Sequence, residues 1–283
     1  MLKTWKKRFS WKELLLIEEE PEILFTCQWQ HSSSPSTWYS IYRWLIAIYF
    51  FTSWLLSILI VKKKTDGYQV KWLIYLTNWG YTACTFQALL AAFMLSVCVL
   101  AYKLKTYTYV KDKVLKAYRL YWAFNIMATT MAFAITIIYW VFVYDKKKNE
   151  LDIMNFLLHA MNTIVMTLDF WMVSHPFRFV HCIYPLAFSL VYGIFSALYY
   201  LAGGTSREGK NYIYSILNWS TPLKCLLVCV GVGTIVFVVH LIYFSMYCLR
   251  KIIHKKLGRM KSIELTMTVN DGIKTQDGYI NEE

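Results

Sequence analysis

A chain of 283 residues with a net charge of +13, 57% hydrophobic content and a mean hydropathy of +0.37 is too apolar for an ordinary soluble protein. Only 17% of its residues are charged, against roughly 25% in soluble domains. The positive charge does not point to nucleic acid, because the basic residues sit beside apolar runs instead of sharing one soluble face; there they set topology and touch anionic lipids.

In chain order, residues 1–43 form a basic and aromatic segment in which Trp5, Lys6, Lys7, Arg8 and Trp11 suit an interfacial anchor. Acidic Glu18, Glu19, Glu20 and Glu22 follow where a signal peptide would carry an apolar stretch. No cleavable leader is therefore expected, and the first span is expected to direct insertion. Six apolar runs are predicted to cross a bilayer: Trp44 to Val61, Trp72 to Tyr102, Tyr118 to Tyr144, Ile153 to Ser174, Cys182 to Ala202 and Leu223 to Leu249. Each is near or above the roughly 20 residues a helix needs to span. None alternates with the period of two of a barrel strand. Pro176, Pro185, Gly203 and Gly204 fall at predicted boundaries. Residues 250–283 turn basic, then polar from about Ser262, as expected of a disordered tail.

The expected fold is thus an all-α integral membrane protein, a bundle of six transmembrane helices in residues 44–249. With both termini in the cytoplasm, two thirds of the lysines and arginines lie inside, as positive charges prefer. The seven cysteines show no disulfide or zinc spacing, and Cys225 and Cys229 share a helix face as packing residues. Ala128 and Ala132 are a small-xxx-small pair suited to close helix packing. The sequon Asn218-Trp219-Ser220 is too near the sixth span for a glycan to be expected. No metal or cofactor pattern is present; the single outer-side His159 lacks the facing histidine that a haem would need. The expected partners are membrane lipids, with no nucleic acid and with protein partners left open.

Polar residues inside spans are costly and mark sites. In the fourth span Asn155, His159, Asn162 and Asp169 recur near the helical period and share a stripe. Thr77 lies about 7.5 Å inside the second span and His159 about 9 Å inside the fourth, at 1.5 Å per residue; both enter from the outer side, so they are expected at similar depth. A second group, Asp169, His175, Arg178, His181 and His240, is placed near the inner side, where Arg178 or a histidine would neutralise Asp169 in a structural ion pair, with a ligand site as the alternative.

The segment Trp72-Leu-Ile-Tyr-Leu-Thr-Asn-Trp-Gly, with Cys27-Gln-Trp and Tyr42-Arg43 before it, resembles the rolling stone family. So do Asn155-Phe-Leu-Leu-His159-Ala-Met-Asn162, Pro176-Phe-Arg178, His181-Cys-Ile-Tyr-Pro185, Tyr199-Tyr-Leu-Ala-Gly-Gly-Thr205 and Ile213-Tyr. The resemblance covers about residues 25–250. That family is similar to the androgen-induced and androgen-dependent membrane hydrolases of fatty acid esters of hydroxy fatty acids, which use an intramembrane threonine and histidine. Their Tyr-Leu-Thr segment matches Tyr75-Leu76-Thr77, and their His-Gly-Met-His-Thr segment resembles His159-Ala160-Met161-Asn162-Thr163. The resemblance implies Thr77 as nucleophile and His159 as base, in an intramembrane hydrolase of lipid esters. Asn162 stands where the family has its second histidine and Ala160 where it has glycine, departures that bear on activity. Asn155 or Asn162 would orient the base, and Asn78 would help bind an oxyanion. The rolling stone resemblance equally implies a second class, a non-enzymatic membrane protein of cell–cell recognition or myoblast fusion. A hydrolase could stay in the endoplasmic reticulum whereas a fusion protein must reach the plasma membrane, and the sequence leaves both compartments open.

Overall fold

In the computed structural model, the described residues are 14–18, 21–30, 34–59, 70–144 and 153–280, with the side chains of the last helix described as far as 258. The interfacial anchor and the lysine runs at 62–64 and 146–148 lie outside them. The chain divides into two units, Met1–Tyr243 and Phe244–Glu283.

The elements are α1 (Thr37–Leu59), α2 (Leu76–Lys103), α3 (Tyr107–Ile138), α4 (Ile153–Phe156), α5 (Asn162–Met172), α6 (Ile183–Leu201) and α7 (Pro222–Ile280). Short 3-10 turns occupy Pro21–Phe25, Val70–Ile74 and Phe179–Cys182. One π-turn at Tyr139–Val143 ends α3, and a second at Leu157–Met161 joins α4 to α5. Five segments are long and apolar enough to cross a membrane: Thr37–Leu59, Leu76–Lys103, Lys116–Val143, Phe179–Leu201 and Pro222–Gly258. The predicted fourth span forms as a sixth, interrupted segment, α4–π–α5, from Ile153 to Met172. The protein is an all-helical, multi-pass integral membrane protein. Among the described residues the sole β-type pairing is an isolated bridge, Cys27 to Val173.

Boundaries differ from the sequence expectation where local chemistry intervenes. The first helix starts at Thr37 instead of Trp44, because its polar turn has an inward face: Tyr39, Arg43, Ala47 and Phe50 are fully or almost fully buried. Helix α2 starts at Leu76, not Trp72. Tyr75 is extended, the Asn78 amide donates to the Trp72 carbonyl at 2.6 Å, and the Trp79 indole donates to Leu73. These side chains satisfy carbonyls that a continuing helix would have used. The last helix runs on past the apolar run that ends near Leu249, through the basic residues 250–261 and the polar residues 262–280.

Helix α2 is the centre of the bundle: 61% of its apolar window is buried, against 28% for α1 and 17% for the Phe179–Leu201 helix. Small side chains let it approach its neighbours closely. Ala83, Cys84, Ala88 and Ala92 of α2 pack with Ala47 and Phe50 of α1, Ala128 and Ala132 of α3, and Met166 of α5. Gly80 lies against the Ile135 side chain, where a β-carbon would collide. Before α1 the chain is stitched to the segment after α5. The Gln28 N–H donates to Met172 O at 2.9 Å, the Trp29 indole to Trp171 O at 2.8 Å, and the Ser174 hydroxyl donates to the Thr26 carbonyl at 2.7 Å while lying 2.9 Å from the Thr26 hydroxyl. Leu24, Phe25 and Cys27 are thereby buried, and burial raises the Cys27 thiol pKa. In the second unit, Arg250 and Lys251 both flank the Tyr247 ring.

Candidate functional site

Thr77 stands in the first turn of α2, where N–H groups have no intrahelical acceptor. The connection between α6 and α7 folds over this end. At its start Gly203 takes φ +74°, the left-handed value that glycine tolerates, closing α6 with Gly203 N–H to Tyr200 and Gly204 N–H to Tyr199. Lys71 donates to the Thr205 hydroxyl and Ser206 carbonyl, at 2.8 and 3.0 Å, and Arg207 lies over the Tyr75 ring. The Leu76 N–H donates to the Tyr214 hydroxyl at 3.1 Å, and that hydroxyl also meets those of Thr77 and Tyr192. Tyr192 in turn donates to Ile74 O at 2.8 Å. Burial pushes the Tyr214 phenol up to about 12, so it stays neutral at physiological pH.

Behind Thr77 opens a cavity of about 450 Å³. Its wall is apolar, with Ile135 and Ile138 of α3, Leu186 and Leu190 of α6, and Leu226 and Val232 of α7 among the lining residues. The polar groups on it are few: Thr77, Tyr139, Ser189, Tyr192, Tyr214 and Trp219. Trp219 is held by a 3.1 Å indole hydrogen bond to Ser196. An apolar cleft of several hundred Å³ with a few convergent polar groups is the usual form of a small-ligand site.

His159 is buried on the π-turn between α4 and α5. The Thr136 hydroxyl holds its carbonyl at 2.6 Å, and Thr136 and Thr163 share a 2.7 Å hydrogen bond. Its ring lies flat on Tyr139, centroids 3.4 Å apart and planes 1° from parallel. Its Nδ1 is buried without a hydrogen-bond partner among the described residues. No hydrogen bond joins Thr77 to His159; Tyr139 borders both, lining the cavity with Thr77 and covering the imidazole.

The three asparagines are engaged elsewhere. Asn155 accepts the Tyr139 hydroxyl at 2.9 Å, and Asn162 accepts the Cys84 thiol at 3.5 Å, so neither bonds to His159. The Asn78 amide is committed to Trp72 O, and of the backbone N–H groups beside it Leu76 donates to Tyr214 and Asn78 to Tyr75 O.

At the other end of the stripe the predicted group separates. Asp169 pairs with Arg43, not with Arg178 or a histidine: one guanidinium nitrogen lies 2.8 and 2.9 Å from its two oxygens, and Tyr42 donates to it at 3.1 Å. Arg178 instead reaches Glu18 at 2.7 Å and lies over the Trp122 ring. His175 sits between Asn125 Oδ1 and Leu24 O, at 3.2 and 3.1 Å. His181 Nδ1 faces the Arg178 N–H at 3.4 Å. His240 faces Arg178 O at 3.1 Å. These residues tie the connection between α5 and α6 to the N-terminal segment.

Sequence reasoning missed a role for Arg43, named only within the Tyr42-Arg43 motif, and the three tyrosines 139, 192 and 214. For Arg43 a signal existed: with Tyr39, Ala47 and Phe50 it repeats at helical spacing, and a carboxylate inside a membrane demands a cation. Tyr139 carried no such mark, since aromatic residues near span ends are ordinary belt residues; Tyr192 in mid-span and Tyr214 in a connection were set apart by no spacing from the chain's other tyrosines.

Against known proteins, a family model described as protein rolling stone matches residues 2–265. Protein rolling stone of Drosophila melanogaster is 28% identical over 240 residues, covering 82% of this chain and 85% of that protein. No solved structure matches. With the family model spanning nearly the whole of this six-segment helical chain, the protein belongs to the rolling stone family.

Proposed function

We propose that this protein binds a membrane lipid ester in the cavity behind Thr77 and hydrolyses it with Thr77 as nucleophile and His159 as base. The observation that carries the reading is the position of Thr77 at the polar end of an apolar cavity large enough for an acyl chain. A lipid already in the bilayer could slide an acyl chain between α6 and α7, leaving its ester at the end lined by Thr77, Tyr192 and Tyr214. The Thr77 oxygen would attack the ester carbonyl carbon and pass its proton to the imidazole. The negative oxygen of the tetrahedral intermediate would meet the N-terminus of α2. The imidazolium would return the proton to the departing alkoxide, releasing the alcohol. Water would then cleave the acyl-threonine, His159 again taking and returning the proton, to release the acid. Tyr214, neutral with its raised pKa, can hold the Thr77 hydroxyl by hydrogen bonding but is not a base at neutral pH.

A second reading is a lipid-binding protein without catalysis, acting in cell–cell recognition or fusion. What favours it is the absence of a Thr77–His159 contact and the Tyr139 ring on the imidazole. Hydrolysis of a panel of lipid esters by membranes bearing the chain, beside Thr77→Ala and His159→Ala at matched levels, separates the two. Activity lost in both variants supports the hydrolase. A folded but inactive parent that copurifies with lipid, alongside an active control relative, supports the binding role. Activity kept by both variants removes the proposed pair.

A further inference from the structure

We propose that Tyr139 is a positioning residue that gates His159: its ring closes the imidazole off from the cavity and must move aside before His159 can act there. This deepens the reading of Thr77 and His159 as a reacting pair and rests on it for its catalytic meaning.

Three observations converge on Tyr139. It lines the cavity, and so does Thr77, whereas His159 does not. Its ring is stacked on the imidazole at 3.4 Å and 1°, covering one full face. And both rings are carried by π-turns, Tyr139–Val143 and Leu157–Met161, on the two packed segments. A π-turn widens a helix by one residue and is found mostly as a local bulge at functional sites. Here the wide ring closes with Tyr144 N–H to Tyr139 O at 2.8 Å.

The backbone at His159 is the fixed side of the contact, because Thr136 clamps its carbonyl and Thr163 ties back to Ala132 O at 2.9 Å. The movable side is Tyr139. It sits where α3 ends, and a hydrogen bond to Asn155 steadies its hydroxyl. The closed arrangement leaves His159 Nδ1 buried without a hydrogen bond among the described residues, a cost that packed proteins seldom leave uncorrected. Swinging the Tyr139 ring off the imidazole would open its face to the cavity and free the imidazole to turn, so that the in-plane lone pair of its nitrogen could meet a proton from that side. The occupant that would drive the swing is an acyl chain entering along Ile135, Ile138 and Tyr139. Asn155 becomes a second positioning residue, acting through Tyr139.

The test is acylation of histidines by diethyl pyrocarbonate in the full chain in lipid nanodiscs, each site followed by peptide mass. His159 in the parent is expected to react slowly. In Tyr139→Ala it is expected to react about tenfold faster or more, as modification follows the open population, while buried His175 keeps its rate. Tyr139→Phe, which keeps the ring, is expected to remain near the parent. Adding oleic acid to Tyr139→Ala should slow His159 again, since the exposed route is the cavity. A slow His159 in Tyr139→Ala overturns the gate. So does a parallel rise at His175, which would mean general loosening, or indifference to oleic acid. Labelling needs no turnover. An inactive parent with the expected pattern would remove the hydrolase but keep the gate, and an active parent without it would do the reverse.

Discussion

Arg43 and Asp169, 126 residues apart in the chain, hold each other in the bundle interior with side chains only 2% and 1% exposed. Tyr121 accepts a second guanidinium nitrogen at 2.7 Å, and Tyr39 lies against the guanidinium face. The pair ties α1 to α5 across α2 and α3. Breaking a buried pair by removing one partner costs about 3–5 kcal/mol, while replacing both by apolar residues is often neutral. Arg43→Met and Asp169→Leu are therefore each expected to lower the melting temperature in detergent sharply, and the double variant to recover much of the loss. A double variant no better than the singles would show that the charge pairing is not what matters.

Ala132 is fully buried where α2, α3 and α5 meet, and its carbonyl accepts the Thr163 hydroxyl. Ala132→Leu overfills this contact and is expected to cost about 1–3 kcal/mol, read as a fall in thermal stability. A neutral result would mean that the helices stand farther apart than the packing requires.

Gly193 borders the cavity, its missing β-carbon 3.6 Å from the Cys229 sulfur, so a larger side chain there projects into the space without meeting backbone. Gly193→Leu is expected to preserve folding and to cut lipid-ester hydrolysis, or lipid retention in the purified protein, by about tenfold or about 1.4 kcal/mol. Unchanged lipid handling would place the ligand elsewhere.

Tyr214 fastens the α6–α7 connection to the start of α2. Tyr214→Phe removes the acceptor for the Leu76 N–H, a loss of about 1–3 kcal/mol for a buried donor. Faster amide exchange across 203–217 is the expected result, with α3 unaffected. The pKa of Tyr214 is raised from its ordinary value near 10 to about 12 in the folded state. Its stabilising contribution is therefore complete below pH about 10 and lost as pH rises through about 12. Exchange in the parent, corrected for intrinsic rates, should show no Tyr214-linked opening between pH 6 and 9.

Much of the fold was legible because hydropathy is a local property. Each long apolar run became a membrane-crossing helix or, for 153–172, an interrupted segment, and Ala128 and Ala132 read correctly as packing residues. The stripe of Asn155, His159, Asn162 and Asp169 was equally legible, since helical spacing alone puts these residues on one side, and the last three are buried. Their partners were not. Asn162 meets a cysteine, Asp169 meets Arg43 of α1, and Asn155 meets a tyrosine from the π-turn after α3.

The sequence by itself determined an apolar, helical, multi-pass protein, one polar stripe facing its interior, and Thr77 and His159 as the pair to ask about. Only the tertiary structure decided that Thr77 ends a cavity, that Tyr139 covers His159, and that Arg43 neutralises Asp169. The physical reason is range. Burial in lipid is decided residue by residue along one helix, whereas a hydrogen bond or a stacked ring depends on which faces of two distant helices meet and at what height.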